Sequence, residues 1–179
     1  MARARADSTR LPYTAADIRF MSGMVAHHSQ AVAMSRMALA TGRGASVPVR
    51  RLAERIINAQ IDEIVIMQQW LIDRGQPVPH AAIEPSEAMH AEHSGHMMAG
   101  MLTMKQMQEL EAARGTQFDR LFLQYMIQHH GGAVAMVKEL FATPGAGQDE
   151  IVFRFASDVN VDQTTEIARM NQMLAELKP

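Results

Sequence analysis

Met-x-x-His-His occurs twice in the chain, at Met24/His27/His28 and at Met126/His129/His130. A thioether beside two imidazoles is a donor set for soft or borderline ions, Cu(I) above all, because thioethers bind hard cations weakly. On a helix Met24 lies one turn from both histidines, while His27 and His28 point about 100° apart. Neighbouring histidines are therefore poor partners for one ion. A better site joins a methionine and one histidine to donors from another helix or from the segment between the motifs. That segment is itself donor-rich: His90, His93 and His96 recur at every third position, followed by Met97, Met98, Met101, Met104 and Met107. Short His/Met-rich tracts are metal-binding by composition, and a stretch holding Gly95 and Gly100 has little packing need for so many thioethers.

The bland alternatives carry weight. Methionines at helical spacing fill cores more often than they bind metals, and that is the reading for Met37, Met67, Met170 and Met173 taken singly. A lone histidine on an apolar face is usually hydrogen-bonded core. Two His-His pairs in matched register, each with Met one turn earlier, count against that account. Glu63 and Glu166 stand beside Gln60 and Gln163. They either orient a ligand imidazole through its other N–H or hold their carboxylates in water, and water is slightly preferred.

Composition narrows the classes. The 179 residues include 16 Met, 8 His and no Cys. Without cysteine there is no disulfide framework, thiolate zinc site, iron–sulfur cluster or cysteine nucleophile. A net charge of −2 and a pI near 6.4 argue against a nucleic-acid partner. No 18-residue apolar run suggests a membrane span. The start, Met1 to Arg10, is basic but lacks a signal-peptide apolar core, which fits a cytosolic protein or a mature chain whose signal has been removed. A di-iron carboxylate enzyme needs Glu-x-x-His on two helices. Only Glu87-x-x-His90 has that spacing, in the segment between the motifs. Gly-x-Ser-x-Gly and His-Glu-x-x-His are absent, so no catalytic residues are assigned and an enzyme is not expected.

The elements that must position these donors are themselves duplicated. Shifted by 102 residues, Thr14-x-x-Asp17 falls on Thr116-x-x-Asp119, Phe20 on Phe122, and Ala31-Val-Ala-Met34 on Ala133-Val-Ala-Met136. At a shift of 103, Gln60-x-x-Glu63-Ile64-x-x-Met67 falls on Gln163-x-x-Glu166-Ile167-x-x-Met170. Each Thr-x-x-Asp reads as a capped helix start. Phe20, Met24, Ala31 and Met34 share one helical face; Leu52, Ile56, Gln60, Ile64, Met67 and Leu71 form the stripe of the second element, with Arg51, Arg55 and Asp62 turned away. Glycines and prolines at 42–44, 75–79, 115 and 144–147 separate the pieces. The spacing predicts helices over 14–41, 47–74, 103–114, 116–142 and 148–177.

The expected fold is all-α: a ferritin-like antiparallel four-helix bundle made from a duplicated hairpin, with a long Met/His-rich crossover linker. It forms one domain over 1–179, with hairpins at 14–74 and 116–177 around a linker and short helix at 75–115. In an up-down-up-down order the first and third long helices run parallel on a diagonal, so their motifs share a level and face a common space.

The paired Phe-x-x-x-Met-x-x-His-His-x-x-Ala-x-x-Met motifs, the Gln-x-x-Glu-Ile-x-x-Met elements and Met98-Ala-Gly-Met101 resemble the bacterial domain-of-unknown-function family numbered 305. The resemblance spans residues 14–177. It implies a ferritin-like fold, export from the cytoplasm, and kinship with periplasmic copper-binding members. Residue by residue it points to Met24, His27, His28, Met34, Met126, His129, His130, Met136, Met98 and Met101. His90, His93 and His96 join them on composition alone. The expectation is an extracytoplasmic copper-binding protein, Cu(I) favoured, with Cu(II), Ag(I) and Zn as the other ions. Its donors are spread over several shallow sites, and a copper-delivery protein is a candidate partner. The alternative is a structural or partner-binding bundle whose His and Met residues are packing.

Overall fold

The computed structural model describes residues 12–90 and 98–177. Among these the chain forms six helices and no strand: α1 Ala15–Leu39, α2 Val47–Ile72, α3 Pro85–His90, α4 Met104–Ala112, α5 Gly115–Ala142 and α6 Glu150–Glu176. α1 packs against α2 and α5 against α6, giving the two hairpins that the repeat predicts.

Local chemistry explains half of the starts. Thr14 and Asp17 form a reciprocal capping box on α1, and Thr103 and Gln106 form another on α4. Asp149 caps α6 by accepting from the Ile151 and Val152 N–H groups. The expected cap at Thr116 is not used. α5 begins at Gly115 behind Arg114, with no side-chain cap. Asp119 instead reaches out of the helix to the Ser46 N–H that opens α2, at 3.1 and 3.3 Å.

These contacts fix the direction of the helices. Asp17, at the start of α1, also accepts from the Gly147 N–H in the α5–α6 loop at 2.7 Å. Asp119, at the start of α5, holds the α1–α2 loop, and the Gly115 N–H donates to the Arg43 carbonyl at 3.0 Å. Each helix start therefore meets the other's end: α1 and α5 are antiparallel, which corrects the parallel, diagonal arrangement. The order is up-down-down-up. Residues 73–114 carry the chain from the Trp70 end of α2 the full length of the molecule to the Arg43 end, where α5 begins, and a tight turn could not span that distance.

Two apolar clusters fill the interior. One, near Arg43, gathers Met34, Met37, Leu52, Phe118, Phe122 and Met126. The other gathers Phe20, Met24, Met67, Trp70, Val137 and Phe155. Each draws on both hairpins, and each such side chain contributes about 1.5–3 kcal/mol by leaving water. Met37, Met67 and Met170 are buried core, as read. The α2 stripe Leu52 to Leu71 is buried, with Arg51, Arg55 and Asp62 outside. α1 goes further than an amphipathic stripe: Met21, Val25, Ser29, Gln30 and Ser35 are buried too. The cause is its surroundings, since α2, α5, α3 and α4 all pack on it.

Candidate metal centre

α1 and α5 cross at their histidines. The His27 and His129 rings lie against each other with centroids 3.9 Å apart and planes tilted by 39°. His27 Nε2–H donates to the Ala99 carbonyl at 3.0 Å, and His129 Nε2–H donates to the His27 carbonyl at 2.8 Å. The second histidine of each pair turns to its own hairpin partner. His130 Nε2–H donates to Glu166 at 2.7 Å. His28 Nε2 sits 2.9 Å from Glu63 at an angle outside the hydrogen-bond range. Glu63 and Glu166 are part-exposed boundary residues whose carboxylates nevertheless turn to the fully buried histidines, which corrects the slight preference for water above.

The Nε2 atoms of His27, His129 and His130 each donate to an oxygen, and that of His28 lies against Glu63, so in all four rings Nδ1 is the nitrogen left over. The Nδ1 atoms of His27, His28, His129 and His130 are buried and without a hydrogen-bond partner. A buried acceptor with no donor is costly, about 1–3 kcal/mol apiece. The rings at the crossing are also held neutral. Burial, and then the adjacent His28, push His27 down to about 3, against the opposing pull of its bond to Ala99. Burial and His27 hold His129 well below the usual imidazole range. Neutral imidazoles with free lone pairs are competent metal donors at ordinary pH.

The linker is seated on this crossing. Gln30 clamps Leu102 from both sides, accepting from its N–H at 2.7 Å and donating to its carbonyl at 3.1 Å. Gln128 donates to the Gly100 carbonyl at 3.3 Å. Gly132 lets the backbone pass: a Cβ there would lie 1.9 Å from the Ala99 oxygen. Gly100 takes φ +78°, and its own Cβ would lie 2.6 Å from the Gln128 oxygen. These seat-forming residues escaped the sequence reading, although the Gly131-Gly132 pair inside a long helical pattern was a signal of close backbone approach.

Of the methionines, Met24, Met34 and Met126 are fully buried and Met101 nearly so, while Met98 and Met136 are half-buried. Met98 Sδ and Met136 Cε converge over Gly23, where a Cβ would lie 2.9 and 3.5 Å from them. Both line an open cavity of about 470 Å³ with Phe20, Ala99 and Leu140. Met34 and Met126 share the Arg43-end cluster and Met24 the other. The expected shallow donors are therefore deep ones on α1 and α5, because the linker roofs the crossing. His93 and His96 lie outside the described residues, and of His90 only the backbone, at the end of α3, is described. Among the described residues no three His, Asp or Glu side chains are arranged to hold one ion. Asp162, near Glu63 and Glu166, is held above the usual carboxylate range by burial first and then by Glu63, Asp158 and Glu166.

Fold and site together define an all-helical protein with paired His/Met motifs facing each other across a crossing of two helices. Residues 17–174 match the family described as "Domain of unknown function (DUF305)", and the chain belongs to that family. It is similar to a candidate secreted DUF305 protein of Streptomyces coelicolor at 31% identity over 90% of this chain and 93% of that one, with a TM-score of 0.74. A DUF305 fragment from Deinococcus radiodurans is 33% identical over 93% of this chain and 99% of that one, TM-score 0.72. CopM in its Cu(II)-bound form is 30% identical over 90% of this chain and 97% of that one, TM-score 0.70; CopM is also known in Cu(I)- and Ag-bound forms. None of these relatives is named as an enzyme. No curated protein matches the chain. Among the described residues no helix is long and apolar enough to cross a membrane.

Proposed function

We propose that this protein is a non-enzymatic, extracytoplasmic copper-binding protein that sequesters or delivers Cu(I), and Ag(I) with it, through Met and His donors. The observation that carries the reading is the set of four buried Nδ1 lone pairs without donors, on two Met-x-x-His-His motifs that meet at one crossing. Neutral imidazole and thioether together favour Cu(I) over hard cations, and Glu166, hydrogen-bonded to His130, acts as the outer partner that orients that ring, with Glu63 in contact with His28. The donor set comprises Met24, His27, His28, Met34, Met126, His129, His130 and Met136, with Met98 and Met101 from the linker. His90, His93 and His96 are added on composition. CopM, similar in sequence and shape, in its copper- and silver-bound forms supports the ion, and the secreted character given to the Streptomyces relative supports the compartment. A His/Met set without cysteine suits an oxidising environment. The whole chain is read as one domain, a ferritin-like four-helix bundle with a crossover, since both core clusters draw on both hairpins.

Metal analysis after equilibration with Cu(I), Cu(II), Zn(II) and Ag(I) tests this. Retention of Cu(I) and Ag(I) is expected, with a lower stoichiometry when His27, His28, His129 and His130 are all replaced by Ala and circular dichroism still reports helix. Full retention both in that variant and in one lacking His90, His93, His96, Met98 and Met101 would make the bundle a partner-binding module instead.

A further inference from the structure

The repeated Gln-x-x-Glu elements come together in a place of which the copper reading uses only Glu63 and Glu166, at its inner wall. Between α2 and α6 lies a half-open groove of about 450 Å³, lined by Gln60 and Glu63 from one repeat and Gln163 and Glu166 from the other, with Asp162 and Arg55 beside them. Gln60 and Gln163 are each only 3% exposed, and the Oε1 atom of each is buried with no hydrogen-bond partner. Two residues lining one groove thus carry carboxamide oxygens that are acceptors without a donor. At its inner wall Glu63 and Glu166 touch His28 and His130, so the groove reaches the outer edge of the histidine layer. It continues past Asp162 into a second cavity carrying Asp158 and Glu150. Five carboxylates stand along this path against two guanidiniums, Arg55 and Arg154. The open cavity at Met98 and Met136 shares no lining residue with it and carries one carboxylate, Glu139, against one guanidinium, Arg19.

We propose that the α2–α6 groove is the port by which a cation reaches the histidine layer, drawn in by Asp158, Asp162, Glu63 and Glu166 and received by the Gln60 and Gln163 oxygens as it sheds water. The inference rests on the copper reading. It adds a route: a cleft lined with one sign of charge concentrates the opposite ion and speeds its entry in a salt-dependent way, and amide oxygens replace water one for one. The carboxylates are too spread to chelate, which suits passage rather than storage.

Stopped-flow ultraviolet absorbance of Ag(I) uptake by the full chain in nitrate buffer tests the port. The doubly neutralised variant Asp158→Asn/Asp162→Asn should take up Ag(I) more slowly at low salt, by on the order of tenfold. That difference should shrink at high salt, while the final stoichiometry stays that of the wild type. Glu139→Gln should leave the rate unchanged. Wild-type rate and salt dependence in the double variant overturn the port and leave the copper reading standing, as does slowing by Glu139→Gln alone, which would place entry at the methionine cavity. A fall in stoichiometry rather than rate overturns it too, since the aspartates would then be ligands. No Ag(I) uptake by the wild type sinks the copper reading and the port together.

Discussion

The two Met-x-x-His-His copies share their sequence and differ in their surroundings. On α1, Ala31, Val32, Ala33 and Met34 are all fully buried; on α5 the matched Ala133 is buried, but Val134 and Met136 are half-buried and Ala135 is exposed. A duplicated pair of hairpins has one connecting segment, and one segment cannot cover both copies alike. Residues 98–102 lie over the crossing and touch both helices, and α1 is the more deeply covered copy. The two positions after the histidines have diverged to match: Ser29-Gln30 on α1 supplies the hook for Leu102, and Gly131-Gly132 on α5 supplies clearance for Ala99 and Gly100. Symmetry in sequence therefore gives a symmetric frame and an asymmetric lining.

Filling the clearance should be the severest change. Gly132→Val forces the linker off the crossing and should cost about 3 kcal/mol or more through overpacking and the loss of the seat, read as a large drop in the denaturant midpoint. Gly131→Ala, one position away with open space around its Cβ, should be neutral or slightly stabilising through helix propensity. Equal effects at the two glycines would remove the seat from the account.

Cutting the hook should cost less. Gln30→Ala deletes two bonds to Leu102 and leaves its buried N–H unpaired, for about 2 kcal/mol. Gln128→Ala, whose bond to Gly100 lies at the surface, should cost under about 1 kcal/mol. The paired aspartates give a similar contrast: Asp17→Ala loses a cap and the tie to Gly147, Asp119→Ala the tie to Ser46 alone, so the first should be the more damaging in thermal melts.

Acid should act on the crossing. His27 and His129 have depressed proton affinities in the folded chain, so below the ordinary value near 6.5 the unfolded chain binds more protons. Stability is then fully present above pH 6.5 and lost as pH falls toward about 3, at up to about 1.4 kcal/mol per pH unit for each histidine. Urea midpoints measured from pH 7 to pH 4 should fall, and fall less in a His27→Gln variant.

Among the smaller effects, Met136→Leu should leave stability within about 1 kcal/mol while lowering Ag(I) stoichiometry, whereas Met34→Leu in the closed core should alter binding less. The reverse order would make the roofed copy the main thioether donor.

Much of this was legible beforehand. The helices, the capping box at Thr14 and the α2 stripe follow from local spacing, which periodicity records; the two histidine pairs do meet, but across antiparallel helices rather than the parallel diagonal pair from which their meeting was expected. The direction of α5 was not legible. It depends on Asp17 meeting Gly147 and Asp119 meeting Ser46, contacts between residues far apart in sequence, and Thr-x-x-Asp reads as a cap whether or not its carboxylate is needed elsewhere. The depth of the histidines was hidden for a similar reason: the burial that α2 and α5 give α1 is completed by a linker whose glycines and methionines look like a loose loop in sequence.

The central claim is that the bare Nδ1 atoms of the crossing histidines hold the metal. Long-range ¹H–¹⁵N NMR of the histidine rings during titration with Ag(I) reads it atom by atom. The account predicts that Nδ1 of His28 and His130, and of at least one of His27 and His129, moves from the lone-pair range on binding, with ¹⁰⁹Ag–¹⁵N coupling, while each Nε2 keeps its proton. Ring nitrogens unmoved at saturating Ag(I), with only methionine methyl signals shifting, would contradict it.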